Sequence, residues 1–376
     1  MNDPQPGTTL ARFGRALREQ GMDQALLAAP DTIAHLVGFE VDWENWPVGD
    51  PFTAAAPLLL IRDGEATLIV PKLFAAAATS VDCEVLVSPT HAFRGTPPDP
   101  ISSLEETVAS LPIAEGPIGV DPGHLPVRVG DLLRRACAEM VSVEELLIDS
   151  RRIKLPVEVD ALRQAAALAD TIQAAVKASA EPGRSEAELA GLALTAAYRR
   201  AGRRVPANLT LNAGIGSSLP SASPGARVIE AGDVILTDTS PWTAGAWSDT
   251  ANAIVVGEPT TEHRRLFDTL RSTLDFAIGA CRPGVRAGEV DRMVRERLAA
   301  DYGDAIYKHH TGHGIGAMYY EPPHIVPGSD HLIEEGMVLC VEPAVYIPDR
   351  FGMRLEHVFR VGADDNEILS RFEHTL

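Results

Sequence analysis

Three histidines stand close together in Lys308-His309-His310-Thr311-Gly312-His313-Gly314-Ile315-Gly316, among glycines that let backbone approach another group closely. Imidazole binds metals and carries protons near neutral pH, so the chemistry of this loop depends on which carboxylates the fold brings to it. Asp238 follows the run Val234-Ile235-Leu236-Thr237, and Asp249 lies in Trp247-Ser248-Asp249-Thr250, on either side of a turn at Thr243-Ala244-Gly245. Glu342 follows Val338-Leu339-Cys340-Val341, and Glu356 lies in Arg354-Leu355-Glu356-His357-Val358, about a turn centred near Asp349. A reversal between Thr243 and Ala244 sets Asp238 directly opposite Asp249, and one at Asp349 sets Glu342 opposite Glu356. Directly opposed like charges destabilise a sheet, and buried carboxylates either take up protons or meet a cation. On spacing alone, a metal site and a structural acidic cluster both stay open.

The elements beneath these residues form two groups. Leu10, Phe13, Leu17 and Met22 have helical spacing, followed by a strand at Ala25-Leu26-Leu27-Ala28 and a brief helix from Thr32 to Leu36. Pro57 to Pro71 reads as a hairpin turned at Arg62-Asp63-Gly64-Glu65. Helices from Leu73 to Ser80, Ile101 to Leu111 and Val127 to Met140 then alternate with strands from Cys83 to Val87 and Ile118 to Val120, an α/β pattern. The acidic loop from Gly38 to Pro51 carries Trp43 and Trp46, either as a lid packed by its own aromatics or as a pocket wall. The basic connector Arg151-Arg152-Ile153-Lys154-Leu155-Pro156 marks a boundary between domains 1–150 and 151–376. A long helix from Val157 to Ala180 follows. Ser185 and Glu188 form a capping box for the next helix, which stops near Gly202. Strands are expected at Val205 to Leu211, Val234 to Ser240, Ala246 to Val256, Met337 to Tyr346 and Met353 to Val361, with helices at Glu262 to Cys281 and Ala287 to Tyr302. This second half is α+β.

Bulk composition narrows the class. A chain of 376 residues with 45% hydrophobic and 23% charged residues is a soluble globular protein of about two domains. A formal charge of −19 argues against nucleic acid as partner. No apolar run reaches membrane-spanning length, and the polar N-terminus lacks a signal pattern. Cys83, Cys137, Cys281 and Cys340 are scattered without metal or redox spacing and read as buried reduced thiols, so a cytoplasmic protein is expected.

Taken in order, Ile153-Lys154-Leu155-Pro156 with Glu158, Asp238 with Asp249, Thr311-Gly312-His313-Gly314-Ile315-Gly316, Glu335-Gly336-Met337-Val338, Glu342-Pro343 and Arg354-Leu355-Glu356 resemble the pita-bread metallopeptidase superfamily, most closely its prolidase and aminopeptidase P branch. They span the C-terminal half, while the N-terminal half is similar, more loosely, to the smaller α/β domain of creatinase type. The resemblance implies a pita-bread catalytic domain holding two divalent ions, Mn²⁺, Co²⁺ or Zn²⁺, on Asp238, Asp249, His313, Glu342 and Glu356. It implies hydrolysis of a C–N amide bond by metal-bound hydroxide, with Glu342 as proton shuttle and a small peptide or small amide as substrate. It places His309, Tyr320, Arg354 and Ser221 at the substrate, suggests a homodimer, and makes Trp43 the candidate wall of a neighbouring site. His309 and Tyr320 join Glu342 as the catalytic set, and His310 has no family role and reads as structural or solvent-facing.

Two departures bear on the substrate. The family's second histidine, seven residues beyond the metal-binding one, is here Tyr320, and another upstream of the first metal aspartate is Ser221. Tyr320 can donate a hydrogen bond but cannot act as imidazole does near pH 7. His324 would replace the lost group only if the loop is remodelled. The leading expectation is therefore an Xaa-Pro aminopeptidase- or prolidase-like hydrolase. The alternatives are a creatinase-like hydrolase of a small amide and a non-catalytic peptide-binding module.

Overall fold

The computed structural model describes residues 8–40, 57–89, 100–136 and 139–376, so Trp43, Trp46 and Cys137 lie outside the described residues. The chain divides into two compact units, Met1–Arg151 and Arg152–Leu376. In chain order the first contains α1 (Thr9–Glu19), β1 (Gln24–Leu27), α2 (Pro30–Val37), β2 (Leu58–Arg62), β3 (Glu65–Pro71), β4 (Glu84–Ser88), α3 (Pro100–Ala109), β5 (Pro117–Val120), α4 (Val127–Ala136), β6 (Glu139–Ser142) and α5 (Glu144–Arg152). The second contains α6 (Pro156–Ser179), α7 (Glu186–Ala201), β7 (Ala207–Ala213), β8 (Val234–Thr243), β9 (Ala246–Trp247), β10 (Thr250–Val255), α8 (Thr261–Ala280) and α9 (Ala287–Tyr302). It continues with β11 (Gly312–Gly314), β12 (Glu321–Ile325), β13 (Val338–Val341), β14 (Ala344–Ile347), β15 (Phe351–Arg354), β16 (His357–Arg360) and β17 (Glu367–Ile368). No helix among the described residues is long and apolar enough to cross a membrane.

The six strands of the first unit form one mixed sheet in the order β4-β3-β2-β1-β5-β6. Leu58 and Leu60 of β2 join one core with Leu26, Ile118 and Leu133, while Leu59 and Ile61 join another with Phe13, Leu17 and Ile33. Four successive apolar residues, Leu58 to Ile61, are what a sheet covered on both faces requires. The predicted hairpin turn is present: Asp63 and Gly64 have φ of 53° and 89°, the two-residue primed turn. Three expectations change. Leu73 to Ser80 is not a helix but two 3₁₀ turns, Lys72–Phe74 and Ala77–Ser80, because it buries only Ala78 and short helices without a packed face do not persist. The helix expected from Val127 to Met140 stops at Ala136, and Glu139–Ser142 instead pairs in parallel with β5. Arg151 and Arg152, read as the start of the connector, are the end of α5, whose first turn carries Glu144 and Glu145.

The second unit repeats one plan. Helices α6 and α7 share a core with the sheet β10-β8-β7 through Leu168, Ile172, Leu189, Leu211 and Ile235. Helices α8 and α9 share another with the sheet β12-β11-β13-β16-β17 through Leu266, Leu270, Val294, Leu339 and Phe359. The α7 capping box is as expected, with Ser185 Oγ accepting from Glu188 N (3.2 Å) and the Glu188 carboxylate accepting from Ser185 N (2.8 Å). Lys154 and Glu321, both buried, pair at 2.5 Å and tie the start of this unit to β12.

Three expected strands are each split in two. Ala246 to Val256 breaks at Ser248-Asp249, Met337 to Tyr346 at Glu342-Pro343, and Met353 to Val361 at Leu355-Glu356. Three of the four carboxylates therefore sit where the ladder opens. Only Asp238 lies within an unbroken strand.

Candidate metal centre

The two carboxylate hairpins differ in register. Thr243 pairs with Ala246 across a two-residue loop in which Ala244 and Gly245 have φ of 53° and 70°, a primed turn. Asp238 therefore opposes Ala251, not Asp249, and the pairing continues so that Asp249 faces Ser240. This corrects the direct opposition expected from a reversal one residue earlier. Because the shift is two residues, Asp249 keeps its face, and Ser240 Oγ, on that same face, donates to Asp249 Oδ1 at 2.9 Å. In the second hairpin Ile347 pairs with Phe351 about Asp349, and Val341 with His357, so Glu342 and Glu356 do oppose each other across the opening. The freed backbone finds other partners: Glu342 N donates to Thr311 O (2.9 Å) and Glu356 N to Ala251 O (3.0 Å).

The histidine loop is fixed from both sides. His313 on β11 lies between Cys340 of β13 and His324 of β12. A Cβ at Gly312 would meet the Cys340 carbonyl oxygen, and one at Gly314 that of Pro322, so these positions admit only glycine at this spacing. Behind the loop, Arg295 grips Asp291 with Nε (2.9 Å to both oxygens) and donates to the carbonyls of Tyr307 and His309. Thr311 Oγ1 donates to Asp291 Oδ1 at 2.6 Å. None of this buried support was legible as chemistry in the sequence.

All five expected ligands converge. Asp249, His313, Cys340 and Glu356 offer donor atoms within 4.8 Å of one another, as do His310, His313 and Glu342, and as do Asp238, Glu342 and Glu356. His313 Nδ1 is 2.8 Å from the Gly314 carbonyl, a hydrogen bond that leaves Nε2 with its lone pair facing the carboxylates, and burial pushes its pKa down to about 4. Burial, and then the charge of Glu342, raises Asp249 to about 6. Burial, followed by Asp249 and Glu342, holds Glu356 well above the carboxylate range, and burial raises Asp238 against the opposing charge of Arg354. Glu342 differs: burial would raise it, but the His310 hydrogen bond and the charges of Arg354 and His309 bring it to about 2. Such a cluster is neutralised by protons or by cations. Glu356 decides between them, because Oε1 and Oε2 are both buried without a hydrogen-bond partner. A protonated carboxyl would still need an acceptor for its O–H, whereas a cation uses the oxygens directly. The residues present fit divalent metal.

The other expected residues divide. Arg354 lies inside the cluster, its Nη2 on Asp238 and Nη1 3.7 Å from Glu342. His309 lies 3.6 Å from Glu342 Oε2, yet its ring nitrogens are engaged by the His310 carbonyl (2.8 Å) and Tyr346 Oη (3.0 Å). Tyr320 is 47% exposed, with its ring 4.5 Å from that of His313 and 5.5 Å from that of His310. Ser221 is exposed, next to Pro220, whose carbonyl accepts from Arg354 (3.2 Å). Trp43 lies outside the described residues. His310, read as structural or solvent-facing, is half-buried and reaches the site: Nε2 sits 2.5 Å from Glu342 Oε1, in the bend ahead of β11. His324, directly opposite His313, shares its face. Four further residues surface here: Ser240, Tyr319, Tyr346 and Cys340. Tyr319 Oη lies 2.9 Å from Ser240 Oγ, Tyr346 joins His309 to Arg354 (3.0 Å each), and Cys340 Sγ is 3.1 Å from His313 Nε2. Two of them had a signal: Ser240 is two residues from Asp238, and Cys340 two from Glu342, hence on the same strand faces.

A domain of two larger sheets, each backed by a helix pair, with a two-stranded β14-β15 ribbon and this buried carboxylate–imidazole cluster, defines a metallohydrolase architecture. The chain belongs to metallopeptidase family M24, which it matches over residues 160–363, and residues 10–153 match the creatinase/prolidase N-terminal domain. Similar proteins include a probable dipeptidase PepE of Mycobacterium bovis, 27% identical over 98% of this chain and 95% of the relative. An Xaa-Pro dipeptidase of Pyrococcus horikoshii is 30% identical over 63% of this chain and 68% of its own. The structure of an Xaa-Pro dipeptidase from Bacillus anthracis superimposes with a TM-score of 0.79, at 25% identity, over 98% of both chains.

Proposed function

We propose that this metallopeptidase hydrolyses the peptide bond of small Xaa-Pro substrates, as a dipeptidase or aminopeptidase, with two divalent ions (Mn²⁺, Co²⁺ or Zn²⁺) held by Asp238, Asp249, His313, Glu342 and Glu356. The observation that carries this reading is the fully buried, unpartnered carboxylate of Glu356 at the meeting point of the other ligands. The names of the similar dipeptidases support the substrate class. Divalent ions in such a site supply Lewis acidity and a water that ionises near neutral pH. The chain's own groups do the rest. Glu342 is ionised at neutral pH and receives a proton, steadied by His310 at Oε1 and faced by Arg354 at Oε2. His309 is neutral, since burial pushes it down to about 4, and it is held to Tyr346 beside Glu342. Tyr320 is a neutral phenol at the rim, its ionisation pushed up by burial and the neighbouring carboxylates, so it donates to a substrate oxygen rather than carrying charge.

Tyr320 in place of a second histidine makes the choice among Xaa-Pro peptides and other small amides a matter for direct assay. The creatinase-like and non-catalytic readings gain nothing from a ligand set kept at every position. We also propose a cytoplasmic homodimer. The described thiols Cys83, Cys281 and Cys340 are free, which suits a reducing compartment. Exhaustive chelation abolishes hydrolysis of Xaa-Pro dipeptides and Mn²⁺, Co²⁺ or Zn²⁺ restores it; full activity in metal-free protein overturns the reading.

A further inference from the structure

Cys340 is placed as a ligand would be. It stands directly across from His313 in the β11–β13 ladder and is wholly buried. Its Sγ lies 3.1 Å from His313 Nε2, and its donor atom is within 4.8 Å of those of Asp249, His313 and Glu356. A nitrogen and a sulfur bound to one ion at about 2.0–2.1 and 2.3 Å lie roughly 3.1–3.6 Å apart for bond angles from square to tetrahedral. In that same group of four, both Glu356 oxygens are buried and unpartnered, an independent sign that the group is completed by a cation.

The thiol reaches two acceptors of His313, ring Nε2 at 3.1 Å and the backbone carbonyl at 3.6 Å, and only the first conflicts with metal binding. If Sγ–H donates to Nε2, it occupies the lone pair that the histidine needs for metal, since Nδ1 is already engaged at the Gly314 carbonyl. Metal binding therefore displaces the S–H···N contact.

We propose that Cys340 is a direct sulfur ligand of the ion held by Asp249, His313 and Glu356, giving that position one sulfur, one nitrogen and carboxylate oxygens and favouring Zn²⁺ or Co²⁺ over Mn²⁺. The inference rests on the metallopeptidase reading of the site and sharpens its choice of metal. On binding, the S–H bond breaks, its electron pair becomes the metal–sulfur bond, and the proton leaves to solvent. A coordinating thiol is deprotonated by the ion itself, and soft sulfur selects zinc and its neighbours, where oxygen donors suit manganese.

The test is spectroscopic. Full-length protein freed of metal is titrated with Co²⁺ and compared with Cys340→Ser, bound cobalt being counted by elemental analysis. The wild type develops an intense near-ultraviolet sulfur-to-cobalt charge-transfer band that saturates with bound metal, and the variant binds cobalt without it. In competition dialysis, the preference for Zn²⁺ over Mn²⁺ falls roughly 10- to 100-fold in the variant, at least the effect of losing an outer-shell partner. Cobalt bound to wild type with no such band, or a band that survives in Cys340→Ser, overturns the sulfur ligand and leaves the metal site standing. Protein that binds no cobalt at all overturns both.

Discussion

The hairpin of Asp238 and Asp249 and the hairpin of Glu342 and Glu356 serve one site by different means. The first turns in two residues at Ala244-Gly245, which staggers its carboxylates and puts Ser240 against Asp249. The second turns about Asp349 in a three-residue loop, which opposes its carboxylates directly and opens both strands at that point. Each acid of the first has a partner, with Ser240 of the same hairpin and Tyr319 on Asp249, and Arg354 of the second hairpin on Asp238. The second shares its partners unequally, since Glu342 takes His310 and faces Arg354 while Glu356 takes nothing. These protein partners fix the geometry of two ligands before metal arrives. The orphaned fourth ligand is where the cluster depends most on the cation.

That asymmetry predicts unequal effects. Glu356→Gln removes the charge that has no protein partner, and the loss of one member of a buried charge pair is worth about 3–5 kcal/mol, roughly 10²- to more than 10³-fold in metal affinity. Metal content after dialysis measures it together with Xaa-Pro dipeptidase activity. If Glu356→Gln retains metal as tightly as wild type, the cation dependence ascribed to the second hairpin is wrong. Ser240→Ala in the first hairpin removes one outer hydrogen bond and leaves all ligands in place. Its expected cost is about 10- to 100-fold in metal affinity, with activity recovered at saturating metal. A loss at Ser240 as large as that at Glu356 would erase the distinction between the hairpins.

These residues also mark how far the sequence could be read. The four carboxylates and His313 were legible because each lies beside a strongly apolar strand, and family resemblance joined them. The first register was misjudged by one turn position, yet a two-residue shift in pairing returns every side chain to its original face, so the site survived the error. Cys340 was read as a buried thiol because no cysteine spacing marked it, although its step of two from Glu342 fixed its face. His310 was set aside because the family resemblance gave it no role, and the bend that turns it toward Glu342 leaves no periodic signal in the sequence. The Asp291–Arg295–Thr311 support was invisible for a different reason. A charge pair at helical spacing is normally a solvated face worth little, and only the packing of the histidine loop over it shows that Asp291 is buried. In the first unit, the end of α4 gave way to β6 because an open sheet edge, which no local pattern records, competed for the same residues.

The smallest prediction separates the turns themselves. Both loops place a residue with a side chain in the left-handed region, Ala244 at φ 53° and Asp349 at φ 58°. For alanine that conformation costs roughly 1–2 kcal/mol relative to glycine, while glycine adds about 0.4–1 kcal/mol of unfolded-state entropy to be lost. Ala244→Gly therefore stabilises the protein by about 0.5–1 kcal/mol, read as a higher urea midpoint with unchanged slope. Aspartate already tolerates the left-handed region through local hydrogen bonding, so Asp349→Gly is neutral or slightly destabilising. Equal gains at both sites would mean that the two turns carry the same strain. The staggered first hairpin would then owe its register to the site rather than to Ala244-Gly245, and Ala244→Gly should loosen metal binding as well. With the register set by the turn, metal affinity stays at the wild-type value while stability rises.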